Sequence, residues 1–289
     1  MDGLAQDGLA ERFETHRPHL RAVAYRMLGS LAEADDAVQE AWLRLSRSAT
    51  TDPAGIDNLG GWLTTVVGRI ALDMLRSRTA RREDPRADRL PDPVVTELGP
   101  EETAVLADSV SLALLVVLQT LSPAERLAFV LHDLFAVPFD EVARVVDRSP
   151  AAAKQLASRA RRRVRGQAPE PDADPARQRA VVDAFLAASR GADLDALLAV
   201  LDPEITLRVD QGSGLRVVQG AATVAGQALT YARFAPDARP AMVNGAVGWI
   251  TVTDGRPVSV TAVTMREGRI AGLDIIADAD RLAALPGWN

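Results

Sequence analysis

Residues 139–165 read FDEVARVVDRSPAAAKQLASRARRRVR, a pattern that predicts two short helices joined by a tight turn. Ser149 and Pro150 predict the start of the second helix, because a serine hydroxyl caps free backbone N–H groups and proline suits the first helical position. Asp147 lies at the turn, where an aspartate tolerates the left-handed backbone better than most residues do. Apolar residues at helical spacing give both helices an inward face: Val142, Ala143, Val146, Ala153, Leu156, Ala157, Ala160 and Val164. The stretch is therefore typical of a DNA-binding helix-turn-helix.

The second of these helices carries a polar and cationic face. Its arginines and lysine suit phosphate contacts, while its glutamine and serine side chains suit base edges. The candidate DNA-binding residues are Ser149, Lys154, Gln155, Ser158, Arg159 and Arg162. The alternative interpretation is a basic helix that only faces solvent.

Composition limits the classes of function. A chain of 289 residues predicts two or three domains. The chain has no cysteine and three histidines, so we expect neither a metal site nor a cofactor. No apolar run reaches membrane-spanning length and no signal-peptide pattern precedes Phe13, which predicts a cytoplasmic protein without a membrane partner. The net charge of −6 means that any DNA contact must come from local basic patches.

The residues from 13 to 82 are predicted to be entirely helical. Within them, SLAEADDAVQEAWLRLSR (30–47) combines a buried apolar stripe with an acidic face. The polar residues on that face are Asp35, Asp36, Gln39 and Glu40. Their simplest role is an ordinary solvent-exposed surface.

The pattern changes after the Pro- and Asp-rich segment GQAPEPDADP (166–175). Two leucine-rich helices are followed by runs of β-branched residues, separated by Asn-Gly at 244, Asp-Gly at 254 and Glu-Gly at 267. Such dipeptides between alternating runs predict β-hairpins. Helices followed by strands predict an α+β cone with a curved antiparallel sheet and a pocket.

Taken together, the acidic helix, the segment NLGGWLTTVVGRIALDMLRSRTARRE (58–83) and the helix-turn-helix resemble a bacterial extracytoplasmic-function sigma factor. The resemblance implies that the acidic face binds the clamp of core RNA polymerase. It also implies that residues 58–83 capture the minus-ten promoter element and that the helix-turn-helix reads the minus-thirty-five element. The minus-ten candidates are Asn58, Trp62, Arg69, Asp73, Arg76 and Arg78. Trp62 is either a platform for an unstacked base or part of the core.

Three short motifs resemble those of a sigma-factor subgroup with a fused C-terminal SnoaL-like domain. RLPDP (89–93) resembles Trp-Leu-Pro-Glu-Pro, DQGSG (210–214) resembles Asp-Gly-Gly-Gly, and DADRL (278–282) resembles Asn-Pro-Asp-Lys-Leu. The resemblance implies a regulatory or pocket role for five residues of the last domain: Asp210, Gly212, Gly214, Tyr231 and Asp274.

The predicted fold is multidomain, with two all-α domains followed by the α+β cone. Region 2 is assigned to 10–82, a linker to 83–108, region 4 to 109–165, a second linker to 166–175 and the SnoaL-like domain to 176–289.

The leading hypothesis is a non-catalytic promoter-specificity subunit whose partners are core RNA polymerase and promoter DNA. The last domain would modulate activity, with an intramolecular contact to the sigma domains as one possibility. Three alternatives stay open. The last domain could be an enzyme that uses Asp210, Asp274 and Tyr231, or it could be a ligand sensor or docking module. The front half could be a helix-turn-helix regulator that acts without polymerase.

Overall fold

The computed structural model describes residues 2–51, 58–81, 89–96, 110–167, 174–232 and 237–285. They form two units. The first combines residues of 1–84 with residues of 117–166, and the second combines residues of 85–116 with residues of 167–289. No helix in the described part of the chain is long and apolar enough to cross a membrane.

Three long helices open the first unit: α1 (Asp2–Leu28), α2 (Leu31–Thr51) and α3 (Leu59–Arg81). Each buries one apolar side, and the buried residues include Leu20 and Met27 of α1, Val38 of α2, and Leu63 and Leu72 of α3. Helix α3 lies within the segment 58–83 that the sequence analysis singled out. The all-helical prediction for this part of the chain is therefore confirmed for its described residues.

Four helices and one π-helical turn follow in the next segment. They are α4 (Leu112–Gln119), α5 (Pro123–Phe129), the π-helical turn Val130–Leu134, α6 (Phe139–Val146) and α7 (Pro150–Gln167). Ser122 and Glu125 form the capping box at the start of α5. Asp147 ends α6 in the left-handed conformation, with φ 57° and ψ 55°. The turn chemistry predicted for the helix-turn-helix is therefore present.

Helices of the two predicted sigma domains pack together in the first unit. Gly68 of α3 leaves room for Leu127 and Leu131, since a Cβ at Gly68 would lie 3.2 Å from a methyl of Leu131. Arg126 of α5 is buried and donates from Nη1 to the carbonyl of Met27 at 2.9 Å. Burial, with a contribution from the charge of Arg78, lowers the pKa of Arg126 to about 10, so the guanidinium keeps its charge at neutral pH. The segments predicted as separate domains thus share one core.

The second unit contains a seven-stranded sheet. Helices α8 (Pro175–Arg190) and α9 (Leu194–Val200) lead into β2 (Leu201–Asp210), β3 (Leu215–Gln219) and α10 (Ala221–Thr230). The strands β4 (Ala238–Val243), β5 (Ala246–Thr253), β6 (Arg256–Arg266) and β7 (Arg269–Ile276) follow, and α11 (Ala279–Ala283) is the last described helix. The strand β1 (Val95–Thr96) comes from the predicted linker. The strand order is β1-β4-β5-β6-β7-β2-β3.

The sheet is curved but mixed, which corrects the antiparallel prediction. Strand β2 runs parallel to β7, while the other neighbouring pairs are antiparallel. The cause is the crossover from β2 and β3 through α10 to the far side of the sheet, which the chain then recrosses by hairpins back to β7. The hairpin prediction itself is confirmed, because Asn244, Asp254 and Glu267 and the glycines after them all have positive φ.

Helices α8, α9 and α10 cover one face of the sheet, and the main core of the unit lies between them and the strands. Phe185 of α8 stacks on Trp249 of β5 with ring centroids 5.5 Å apart. Leu207 and Val209 of β2 and Leu273 of β7 belong to the same core. The side of the sheet that these helices cover also lines the cavity described below, so we call it the cavity face. We call the other side of the sheet the opposite face.

Candidate functional site

The acidic face of α2 is exposed as the helical spacing predicts. Asp35, Asp36 and Gln39 are exposed, and Glu40 is half-buried. Asp35 accepts a hydrogen bond from Nε of Arg21 at 2.6 Å, and Glu40 accepts one from Nε of Arg44 at 2.9 Å. The structure therefore places all four predicted residues on one helix, with two of the carboxylates paired to arginines of the same unit.

The minus-ten candidates are distributed along α3. Asn58 caps the helix, because its Oδ1 accepts the N–H of Gly61 at 2.9 Å. Trp62 is half-buried, an intermediate position between the two roles left open for it. Arg69, Asp73 and Arg76 are exposed, and Arg76 lies 3.8 Å from Asp73.

Arg78 differs from the exposed α3 candidates because it is only partly accessible. Its guanidinium is paired with the carboxylate of Glu33 on α2, and the two side chains are 20% and 13% exposed. In this conformation Arg78 joins α3 to α2. The other two arginines among the minus-ten candidates, Arg69 and Arg76, are exposed.

The basic face of α7 is exposed along its length. Ala153, Ala157 and Ala160 are buried on the inner side. All six predicted residues lie on the outer side and are exposed: Ser149, Lys154, Gln155, Ser158, Arg159 and Arg162. Ser149 also caps the helix, with its Oγ accepting the N–H of Ala152 at 3.2 Å.

Glu125 of α5 is a buried carboxylate that orients two arginines of α7. It accepts hydrogen bonds from Nε of Arg159 at 3.0 Å and from Nη1 of Arg163 at 3.1 Å. Burial alone would raise the pKa of Glu125, but the hydrogen bonds from Ser122 and Arg159 and the charge of Arg163 together lower it. The carboxylate therefore stays ionised and fixes one edge of the basic face. Neither Glu125 nor Arg163 was among the predicted site residues.

The segment 89–96, predicted as a linker, is attached to the sheet of the second unit. Val95 and Thr96 pair with Val243 and Met242 of β4. Asn244 adds two bonds to Val94: its N–H donates to the Val94 carbonyl at 2.8 Å, and its Oδ1 accepts the Val94 N–H at 3.0 Å. These residues of the predicted linker are therefore fixed to the sheet by backbone and side-chain hydrogen bonds.

Asp210, at the end of β2, is the central acceptor of this attachment. It is completely buried and accepts the backbone N–H of Leu90 at 3.0 Å and that of Gly212 at 3.0 Å. Arg281 of α11 donates from Nη1 to Asp210 at 2.7 Å. Every oxygen of this buried carboxylate is therefore satisfied, which removes most of the penalty of burying its charge.

Arg281 and Asp278 complete the attachment. Arg281 also donates to Asp92 at 2.9 Å and to the carbonyl of Leu90 at 2.9 Å. Asp278 pairs with Arg89, the residue that replaces the tryptophan of the resembled motif. We call Asn244, Asp210, Asp278 and Arg281 the linker clamp. It unites all three motifs that the sequence singled out, at 89–93, 210–214 and 278–282.

Asp274 of β7 is a second buried carboxylate with fewer partners. Nη1 of Arg208 donates to its Oδ1 at 3.0 Å, while its buried Oδ2 has no hydrogen-bond partner among the described residues. Burial raises the pKa of Asp274, and the charge and hydrogen bond of Arg208 oppose that shift only in part.

A cavity of about 250 Å³ lies between α8, α10 and the sheet. Tyr231, predicted as a pocket residue, lines it. Asp210, Gly212, Gly214 and Asp274 do not, which corrects a pocket role for these four. The reason is strand alternation: Leu207, Val209, Leu273 and Ile275 line the cavity, so Asp210 and Asp274 face the other way.

Comparisons with known proteins agree with this arrangement. Residues 12–81 match the family model of sigma-70 region 2, and residues 111–164 match that of sigma-70 region 4. The chain is 42% identical to the ECF RNA polymerase sigma factor SigJ of Mycobacterium tuberculosis over 95% of this chain and 93% of that protein.

The chain belongs to the ECF RNA polymerase sigma factors.

Other relatives extend the match. The chain is 39% identical to a probable ECF RNA polymerase sigma factor, SigI of M. tuberculosis, over 73% of each chain. The crystal structure of M. tuberculosis SigJ superimposes with a TM-score of 0.76 and 38% identity, covering 96% of this chain and 99% of that one. ECF sigma factors bind core RNA polymerase and promoter DNA and are cytoplasmic regulators of transcription initiation.

The linker clamp lies outside both sigma-70 matches of this ECF sigma factor. Of its four members, only Asp210 was a predicted site residue, although Asp278 and Arg281 lie within a motif that the sequence singled out. Asn244 was predicted only as a turn residue. Its contact with Val94 spans 150 positions of sequence, so no local pattern indicates it.

Proposed function

We propose that α2 binds core polymerase through Asp35, Asp36, Gln39 and Glu40. In the same proposal, α3 contacts the minus-ten element through the predicted residues that remain exposed, and α7 reads the minus-thirty-five element through its basic outer face. The exposure of these faces supports the proposal. Two modest DNA contacts joined through the polymerase add as a multivalent interaction, so neither needs to be strong alone.

We further propose that the SnoaL-like domain modulates initiation by holding the linker between regions 2 and 4. The single observation that carries this proposal is the linker clamp. Buried Asp210 accepts the N–H of Leu90, and Arg281 bonds both Asp210 and the Leu90 carbonyl. The course of the linker is therefore set by residues of the last domain, and any change in the clamp changes the chain that joins the two promoter-binding regions.

The test is promoter-dependent transcription by core polymerase with the full chain. Arg281→Gln removes the charge that joins Asp210, Asp92 and the Leu90 carbonyl. Asp280→Asn, at an exposed position of the same helix, is the matched control. We expect transcription to change severalfold for Arg281→Gln alone, while binding to core polymerase is retained by both variants. Unchanged transcription with Arg281→Gln would refute a modulating role of the clamp.

A separate measurement tests the residue-level assignments. Asp36→Arg on the exposed face of α2 is expected to abolish binding to core polymerase, because it replaces an attractive charge by a repulsive one. Glu11→Arg, an exposed acid of α1 outside the proposed surface, is the control. Equal binding of wild type and Asp36→Arg would remove α2 from the proposal without affecting the linker clamp.

The catalytic alternative for the last domain loses two of its three proposed groups. A general acid or base must lie within hydrogen-bond reach of a substrate. Asp210 and Asp274 both face away from the cavity, and of the three suggested residues only Tyr231 lines it. This arrangement supports a domain that acts by binding and not by turnover.

A further inference from the structure

The cavity of the last domain has walls suited to an apolar molecule. Phe185 and Leu186 of α8 form one side, and Leu207, Trp249 and Leu273 of the sheet form the other. Aromatic and aliphatic walls of this kind, with a few polar groups among them, are typical of small-molecule sites. The volume of about 250 Å³ limits the ligand to a small compound.

Three buried residues with hydroxyl groups line the cavity among these apolar walls. Thr251 and Thr261 line the cavity from the sheet, and Ser189 lines it from α8. The exposed fractions of the three residues are 5%, 1% and 4%. The Oγ of Ser189 has no hydrogen-bond partner among the described residues, which is unusual for a buried polar atom and points to a partner that enters the cavity.

Among the described lining residues, charge is confined to the mouth of the cavity and is positive. Arg216 and Tyr231 line the mouth and are exposed, and Nη2 of Arg216 donates to Oε1 of Gln227 at 2.8 Å. A guanidinium has five N–H donors, so this one bond leaves donors of Arg216 for an oxygen at the mouth. None of the described lining residues is an acid, a histidine or a lysine.

From these observations we propose that the cavity is a binding site for a small, largely apolar molecule that carries an oxygen function and is neutral or anionic. The apolar part contacts Trp249 and Leu273, the buried hydroxyls accept or donate hydrogen bonds, and an anionic end lies next to Arg216. A cation is disfavoured, because no carboxylate among the described lining residues compensates its charge. None of the described lining residues is a carboxylate, a histidine or a lysine, so the proposed site binds its ligand without a general base of these types. This inference does not depend on the role proposed for the linker clamp.

Calorimetric titration of the full chain with three probes tests the proposal. Decanol, decanoate and decylamine share one apolar chain and differ in the charge of the head group. We expect saturable binding of one decanol or one decanoate per chain with a negative heat-capacity change, and affinity for decylamine at least about tenfold weaker. Failure of decanol and decanoate to saturate, or equal affinity for decylamine, would overturn the proposed site or its ligand class.

Two substitutions in α10 locate the binding. Ala228 lines the cavity, so Ala228→Trp fills it and should abolish binding of all three probes. Ala222 is exposed on the same helix and does not line the cavity, so Ala222→Trp should bind like wild type. Equal binding of decanol and decanoate by the two variants would assign the signal to surface adsorption and refute the cavity.

Arg216→Gln gives a test that leaves the core of the domain untouched, because Arg216 is exposed. Affinity for decanoate should fall about tenfold and affinity for decanol should not change. A loss of both would contradict the assignment of Arg216 to the anionic end. Core-polymerase binding by the same variant is expected to equal that of wild type, which separates this test from the proposed function.

Discussion

The two faces of the C-terminal sheet carry different chemistry. The opposite face holds the buried carboxylates Asp210 and Asp274 with their arginine partners, Arg281 and Arg208. The cavity face holds apolar side chains and neutral hydroxyls, with one arginine at its mouth. The buried carboxylate Asp210 thus attaches a neighbouring segment of the chain, whereas the described lining of the cavity contains no carboxylate.

This division shows how one scaffold can acquire a regulatory role. Buried charges are tolerated when hydrogen bonds satisfy them, and for Asp210 on the opposite face those bonds come from Leu90 of the linker, Gly212 and Arg281 of α11. Because strand alternation separates the two faces, the charged contacts leave the cavity unchanged. A test of this comparison must therefore substitute a residue on one face and measure the effect on both faces.

The largest effect is expected for Asp210→Ala. This substitution removes one of the two carboxylates that pair with the partly buried Arg281, as well as the acceptor of the Leu90 N–H, so we expect a loss of about 3 kcal/mol in unfolding free energy. Thermal and urea unfolding of the full chain measure it. Asp280→Ala, exposed on α11, should stay within about 0.5 kcal/mol of wild type. A similar loss in both variants would show that the effect belongs to α11 and not to the clamp.

Asp274→Asn should have a smaller effect, about 1 kcal/mol, because Asp274 has one hydrogen-bond partner and an asparagine keeps that acceptor. The effect also depends on pH. Burial raises the pKa of Asp274 in the folded state, so its stabilising contribution is present at acid pH and is lost as pH rises through that raised value. Wild type should therefore lose stability relative to Asp274→Asn as pH rises above the ordinary aspartate pKa of about 4. A difference that is constant over this range would contradict the raised pKa.

Thr261→Val tests the cavity face. The two side chains have nearly the same shape and the Thr261 hydroxyl lines the cavity, so we expect a change below about 1 kcal/mol in unfolding free energy. Thr223→Val, exposed on α10, is the control for the exchange of hydroxyl for methyl. A loss as large as that of Asp210→Ala would mean that polar groups on both faces stabilise the domain alike.

The smallest expected effect is a coupling between ligand binding at the cavity face and the linker contacts of the opposite face. Gln211 and Ala277 line the cavity, and the N–H of Ala277 donates to the carbonyl of Asp210 at 2.8 Å. A ligand such as decanoate would restrain this backbone, so amide hydrogen exchange at Leu90 and Val94 should slow about twofold, or ~0.4 kcal/mol. The exchange should not respond to decanoate in Ala228→Trp. An unchanged rate in wild type at saturating decanoate would show that the faces are independent.

Local patterns predicted the helical surfaces well. Helical spacing placed Lys154 and Gln155 outside and Ala153 inside, and the chemistry of Asp147 and Asn244 predicted their turns, because each depends on residues within a few positions. The pairing of Arg78 with Glu33 was missed, since it joins two helices whose separation no periodicity fixes.

The C-terminal site was only partly predictable. Apolar and polar residues alternate in Leu207-Arg208-Val209-Asp210 and again around Asp274. This alternation indicates that both acids face away from the apolar side. The prediction instead gave them a pocket role by analogy with similar folds. The strand at 95–96 has two residues and a partner in β4, so neither its length nor its composition indicates a sheet. Contacts between residues so far apart in the sequence are set by the tertiary fold.

The clamp residues lie far behind the linker in the sequence, so the ribosome makes the linker first and the clamp later. Leu90 bonds a residue 120 positions later, and Arg89 pairs with one 189 positions later. At bacterial rates of synthesis, the ribosome needs on the order of ten to forty seconds to travel the longer distance. Region 4 is completed within that interval, and from then until residue 278 has been made both promoter-binding regions exist while the linker has no clamp. Every newly synthesised copy therefore passes through an unclamped period before its own last domain can hold it.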